Sequence, residues 1–178
     1  MSSSNRLIAE ASSTLADYTS PALLIPYLRR NDAAGVIQEL SAALHREARI
    51  PDLLEFYHAA LNREYLCSTA IGPGWALPHA PSKALDRPWF ALGRSEKPMQ
   101  WSAQIREKVQ LVFLLAVPQT NAGTYLTLVA GLARLSKDGE LIDRLLNTRD
   151  SFEMFEVLRQ VKVRPNPTSA VLFNGSTR

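Results

Sequence analysis

A single cysteine among 178 residues, Cys67, excludes an internal disulfide and fits a reducing compartment. No apolar run approaches the ~20 residues that a membrane-spanning helix requires. The start, Met1-Ser2-Ser3-Ser4-Asn5, lacks the charged-then-apolar pattern of a secretory signal. Together these absences lead to an expected cytoplasmic location without membrane insertion. Charge of one sign is also scarce, the net value being +3. The dense basic spots are Arg29-Arg30 and Arg46/Arg49, and no aromatic residues interleave them. A solvated helix face is therefore expected there, and no nucleic-acid partner. The three histidines, His45, His58 and His79, stand singly without metal-ligand spacing, so no structural metal is expected. A Gly-x-Ser-x-Gly elbow, which would indicate a serine hydrolase, is missing.

An apolar share of 46% and a charged share of 21% are ordinary for a globular chain long enough for one sizeable core. Residues 1–19 and 164–178 offer few apolar anchors to offset ordering and are expected to be flexible tails around a domain at 20–163. Residues 22–28 fit a short strand or a buried helical turn. Asn31-Asp32 then offers an N-cap, and Val36, Ile37, Leu40, Ala43 and Leu44 follow at helical spacing to about residue 48. Pro51-Asp52 opens a second helix over residues 53–64. Short strands are predicted at 75–77, 89–93 and 99–102. Residues 109–117 form an almost continuous β-branched apolar run ended by Pro118, the pattern of a strand buried on both faces. Helices near 123–136, 140–147 and 151–161 follow. The order predicts a three-layer α/β/α sandwich with a mixed, mostly parallel central sheet.

Chemistry concentrates at His79. Gly72, Pro73 and Gly74 force a tight turn, and Pro78 stiffens the residue before the histidine. His79 thus lies at the end of a predicted strand beside a glycine turn, where α/β sheets present groups to ligands. An imidazole that is neutral near pH 7 is a competent nucleophile. Position and local chemistry taken alone favour a core or loop histidine that hydrogen-bonds a neighbouring carbonyl. His45 and His58 read as surface or half-buried helix residues. Cys67, beside Tyr65 and Leu66 with no activating group, reads as a buried small hydrophobe.

A wider string changes the balance. Arg63-Glu64, Ser68-Thr69, Gly72-Pro73-Gly74 and Ala76-Leu77-Pro78-His79 occur in order, preceded by Ile50-Pro51-Asp52. Downstream come Pro98-Met99-Gln100-Trp101, the 109–118 strand and the Leu126/Val129/Leu132 helix. Over residues 22–160 this set resembles the enzyme IIA domain of the phosphotransferase system, fructose/mannitol/nitrogen type. The resemblance implies that His79 accepts a phosphoryl group from phospho-HPr, or from its nitrogen-branch equivalent, without a cofactor. Its partners would be an HPr-like phosphocarrier and then an enzyme IIB or a regulatory target protein. Carried over, Arg63 stabilises the phosphate, a salt bridge to Glu64 or a neighbouring helix being the alternative. Ser68 and Thr69 would donate hydrogen bonds near the site, and Gly72 and Gly74 would serve the turn.

One position departs from the pattern. Many family members carry a second histidine followed by leucine at the start of the helix after the central strand; here the pair is Tyr125-Leu126. Tyrosine donates one hydrogen bond but stays neutral near pH 7. Amides near Gly123 and Thr124 would still favour an anion. Packing of Tyr125 with Val129 and Leu132 is a competing account of the same residue. The resemblance thus implies an acceptor histidine, with the departure at Tyr125 favouring regulation over rapid transfer to a IIB cysteine.

Overall fold

Among the described residues, aspartates start four of the five α-helices. Backbone N–H groups of Gly35, Glu55, Leu141 and Glu153 donate to the carboxylates of Asp32, Asp52, Asp138 and Asp150 at 2.9, 2.9, 3.1 and 2.8 Å. Each such cap satisfies an otherwise orphaned amide and contributes about 1 kcal/mol. The computed structural model describes residues 13–163 apart from 73, 104, 105, 107 and 121. Its helices are α1 (Ala33–Arg46), α2 (Leu53–Leu66), α3 (Ala122–Leu135), α4 (Gly139–Leu146) and α5 (Ser151–Leu158).

The strands are β1 (Leu24–Ile25), β2 (Ala70–Ile71), β3 (Trp75–Ala76), β4 (His79–Ser82), β5 (Trp89–Gln100) and β6 (Lys108–Pro118). They form one sheet in the order β1-β5-β6-β3-β2, with β4 also on β6. The β1–β5, β3–β6 and β4–β6 pairings are parallel, whereas β2–β3 and β5–β6 are antiparallel.

β6 shows why the apolar run had to be continuous. Val112, Leu114 and Ala116 pack with Ile37, Leu40 and Phe56 of α1 and α2 on one face. Leu111, Phe113 and Leu115 pack on the other face with Leu128, Leu145 and Met154 of α3 to α5. Successive side chains of a strand point to opposite faces, so a strand covered on both sides is apolar throughout. The α/β/α sandwich and its mixed sheet are as the sequence predicts.

Four expectations are corrected. The strands at 89–93 and 99–102 are one element, β5, whose pairing with β6 slips between Arg94 and Met99. Exposed Glu96, Lys97 and Pro98 sit in that irregular stretch, which masked the strand's continuity. Residues 70–71 and 79–82 are strands that no periodicity announced. Residues 13–19 are not loose. Leu15 is fully buried against α3 to α5, Leu15–Tyr18 forms a 3-10 turn, and Leu15 N–H donates to Val161 at 3.0 Å. The rest of the expected tails, 1–12 and 164–178, lies outside the described residues. Finally, Arg46 is exposed as expected, but Arg49 stacks over Trp89, its guanidinium 3.6 Å from the ring centroid.

Candidate functional site

Pro78 interrupts what would otherwise be one strand. Trp75 and Ala76 pair with Leu111 and Val112, and His79 to Ser82 pair with Leu115 to Pro118 in the same frame. Between them Leu77 and Pro78 belong to neither strand. The N–H of Leu77 donates to the carbonyl of Thr69 at 3.1 Å, and Pro78 has no N–H to offer. Pro78 is retained on β6 through its carbonyl, which accepts from Leu115 N–H at 2.9 Å. His79 is therefore the first residue of β4 rather than the end of β3.

Strand alternation then orients it. Ala80 belongs to the core under α1 and α2, so His79 turns to the α3 face. There its half-buried ring lies 6.3 Å, centroid to centroid, from the ring of Tyr125 at a tilt of 43°. The Nδ1 atom of His79 is 3.1 Å from the carbonyl oxygen of Leu77. A carbonyl can only accept, so Nδ1 carries the proton and donates. In the neutral ring the lone pair then resides on Nε2. The neighbouring-carbonyl hydrogen bond of a structural histidine is present, and it is the same bond that frees Nε2 for chemistry.

The other residues singled out in the sequence divide into those brought to this segment and those used nearby. Arg63 and Glu64 lie in the last turns of α2, the helix that packs on β4. Arg63 does not bridge to Glu64; its Nη1 donates to the carbonyl of Cys67 at 2.8 Å. Ser68 and Thr69 direct their hydroxyls to the Glu64 carboxylate. Gly74 adopts φ +83°, a left-handed conformation that favours glycine, and its carbonyl accepts from Gln110 and Leu111. Gly72 needs no such freedom: it is exposed, and an added Cβ would meet no protein atom within 4 Å. The turn requirement expected of both glycines thus holds at Gly74.

Cys67 is exposed, not buried, because it ends α2 where the chain turns back toward β2. His45 and His58 are exposed helix residues, His45 bonded to the Ile50 carbonyl and His58 edge-on to Tyr57.

Glu64 is the residue that sequence reasoning passed over. Only 5% exposed, its carboxylate accepts from Ser68 Oγ at 2.9 Å, Thr69 N–H at 2.9 Å, Thr69 Oγ1, and the indole N–H of Trp101 at 2.8 Å. Its one sequence signal was an acidic residue within an otherwise apolar helix face, next to Arg63. Among the described residues, no group of three or more His, Cys, Asp and Glu is arranged to hold a metal ion, and no helix is long and apolar enough to cross a membrane.

Sheet, flanking helices and the His79 turn together define an α/β/α domain that presents one histidine, with no hydrogen-bond partner on Nε2 among the described residues, at the start of a strand paired only with β6. The chain belongs to the family described as phosphoenolpyruvate-dependent sugar phosphotransferase system, EIIA 2, whose model matches residues 19–161. Members of this family are phosphoryl-transfer proteins. The chain is 30% identical over 144 residues to a nitrogen regulatory protein of Bradyrhizobium diazoefficiens, covering 81% of this chain and 94% of that one. In fold it is similar to the nitrogen regulatory protein IIA-Ntr of Neisseria meningitidis, with a TM-score of 0.72 at 22% identity, covering 81% and 98% of the two chains. It is likewise similar to the mannitol enzyme IIA of Escherichia coli, solved in complex with phosphorylated enzyme IIB, at a TM-score of 0.67 and 18% identity over 78% and 95%.

Proposed function

We propose that the protein is a cytoplasmic phosphocarrier that takes a phosphoryl group from phospho-HPr, or from its nitrogen-branch equivalent, onto Nε2 of His79. The observation that carries this reading is the Nδ1 bond to Leu77, which leaves the Nε2 lone pair available. That lone pair forms the new N–P bond while the bond to the donor imidazole breaks and its electron pair returns to the donor nitrogen. The His79 ring gains positive charge, and the Leu77 carbonyl oxygen already on Nδ1–H is placed to stabilise it. Arg63, anchored by one nitrogen at Cys67, offers the remaining donors of its fork to the phosphoryl oxygens. Gly74 supports the turn beside the site. Ser68 and Thr69 contribute indirectly, through Glu64, rather than as phosphate ligands. No cofactor or nucleic acid takes part.

Leu126 is 53% exposed one residue beyond Tyr125, which itself lies beside His79. An exposed apolar side chain so placed favours a protein partner, an enzyme IIB or a regulatory target, over a sugar.

The test is incubation with phosphoenolpyruvate, enzyme I and the cognate HPr, followed by detection of acid-labile phosphohistidine. Labelling of the parent and none of His79→Ala is expected; equal labelling of both overturns the assignment. A second reading, a regulatory module slow in onward transfer, rests on Tyr125 beside His79. Rapid loss of the label to a IIB cysteine would remove it, and a persistent label would favour it.

A further inference from the structure

We infer that Glu64 is a positioning residue for the His79 imidazole, acting through two backbone carbonyls; its catalytic meaning rests on the phosphoacceptor reading above. The connection is continuous. Glu64 holds Thr69 by both its N–H and its hydroxyl. The carbonyl of Thr69 accepts the N–H of Leu77 at 3.1 Å. The carbonyl of Leu77 in turn accepts Nδ1–H of His79 at 3.1 Å. On its far side this segment is held by Leu115 N–H on the Pro78 carbonyl. By strand alternation the Leu77 carbonyl faces away from β6, on the side where the Leu77–Thr69 bond continues the β2–β3 register. The Thr69 bond supplies that orientation, and Glu64 fixes Thr69.

The placement of the carboxylate calls for such a role. Glu64 lies in the last turns of α2, the end of a helix that disfavours an anion. It is buried, and no lysine or arginine pairs with it among the described residues. Four donors from three residues converge on it instead, and one of them comes from Trp101, the residue after β5 ends. A packed apolar side chain would join α2 to the sheet without those demands. What an apolar residue cannot do is grip Thr69 at two atoms and so set the direction of its carbonyl. Neutral glutamine can keep that grip. Its oxygen accepts the three donors now on Oε1, and its amide N–H donates to Thr69 Oγ1, since a hydroxyl both donates and accepts.

The experiment reads the His79 tautomer by ring ¹⁵N chemical shifts in the unphosphorylated protein, together with single-turnover phosphorylation by phospho-HPr. The parent is expected in the Nδ1–H form. Glu64→Ala should shift the ring toward the Nε2–H form that an unrestrained imidazole favours. It should also slow phosphoryl transfer about 10- to 100-fold at saturating donor, with KM changed less than about twofold. Glu64→Gln should restore the tautomer and most of the rate. A folded Glu64→Ala with parent tautomer and rate overturns the inference. Where Glu64→Ala does not fold, Thr69→Val and Trp101→Phe each remove one donor and should shift both readouts part of the way; parent values in both variants overturn it equally. If His79→Ala is labelled as well as the parent while Glu64→Ala shifts the tautomer, the acceptor assignment falls and the positioning stands.

Discussion

Among the described residues, two buried charges sit at helix C-termini, and they are handled in opposite ways. Arg94 on β5 is 7% exposed and lies against the end of α4. Its guanidinium donates to the carbonyls of Leu146 and Thr148 and, through Nε at 2.9 Å, to that of Pro26. Glu64, at the end of α2, collects four donors instead. A cation at a helix C-terminus accords with the macrodipole and satisfies carbonyls that have no partner within the helix. An anion there opposes the dipole and has to import every hydrogen bond. Arg94 can therefore be explained by stability alone: it joins β5, the bend after β1 and the α4–α5 connection. Glu64 is the less economical of the two, and it is the one joined through the backbone to His79. Buried charge placed with the local field serves architecture here, whereas buried charge placed against it lies at the candidate site.

The comparison breaks most directly at Arg94. Arg94→Leu leaves the buried Thr148 carbonyl and the part-buried carbonyls of Pro26 and Leu146 without this donor and is expected to cost about 2–4 kcal/mol, read as a lower urea midpoint. Phosphorylation per folded molecule should stay at the parent value. A loss of labelling beyond the unfolded fraction would show that the two charges do not divide so cleanly.

The turn between Glu64 and His79 gives a smaller effect. Gly74→Ala, at φ +83°, should cost about 1 kcal/mol and Gly72→Ala less than about 0.5 kcal/mol by the same measurement. Equal costs at the two would mean that the left-handed conformation is not what holds the turn.

The smallest change is expected beside Arg94, on the surface. Arg149 and Glu153 form an ion pair at 2.6 Å next to Thr148. Hydrogen bonds from the Arg149 side chain, then from its backbone, hold the Glu153 carboxyl below its ordinary value of 4.5. Because the folded value is the lower one, the pair's contribution is present above about pH 4.5 and fades as pH falls through the folded value. Solvent screens a pair this exposed, so Glu153→Gln should move Tm by less than about 2 °C at pH 7, measured by thermal melting. A larger loss would place an exposed pair on a level with the buried arginine beside it.

What could be read along the chain follows the range of the forces involved. Asp32 and Asp52 announce α1 and α2 because a cap acts over three residues. The apolar run of β6 announces its own burial. Local rules concealed β4, which has Pro81 within it and follows Pro78, two residues that argue against a strand. It exists because β6 offers a parallel partner in frame with β3. Cys67 was misread for a similar reason: its apolar neighbours Tyr65 and Leu66 are themselves exposed at the end of α2.

The candidate site divides along the same line. The ordered motif around Pro78-His79 was sufficient by itself to indicate the family, and it is the source of the proposal that His79 is the acceptor and that Tyr125 departs from the pattern, since motifs and caps are encoded within a few residues. Tertiary structure alone decided which ring nitrogen of His79 is free, that Tyr125 lies beside it, and that Glu64 rather than Arg63 organises Ser68 and Thr69. Those outcomes depend on groups far apart in the chain, such as Trp101 and Glu64, and on the exclusion of water that makes a buried carboxylate hold every donor within reach.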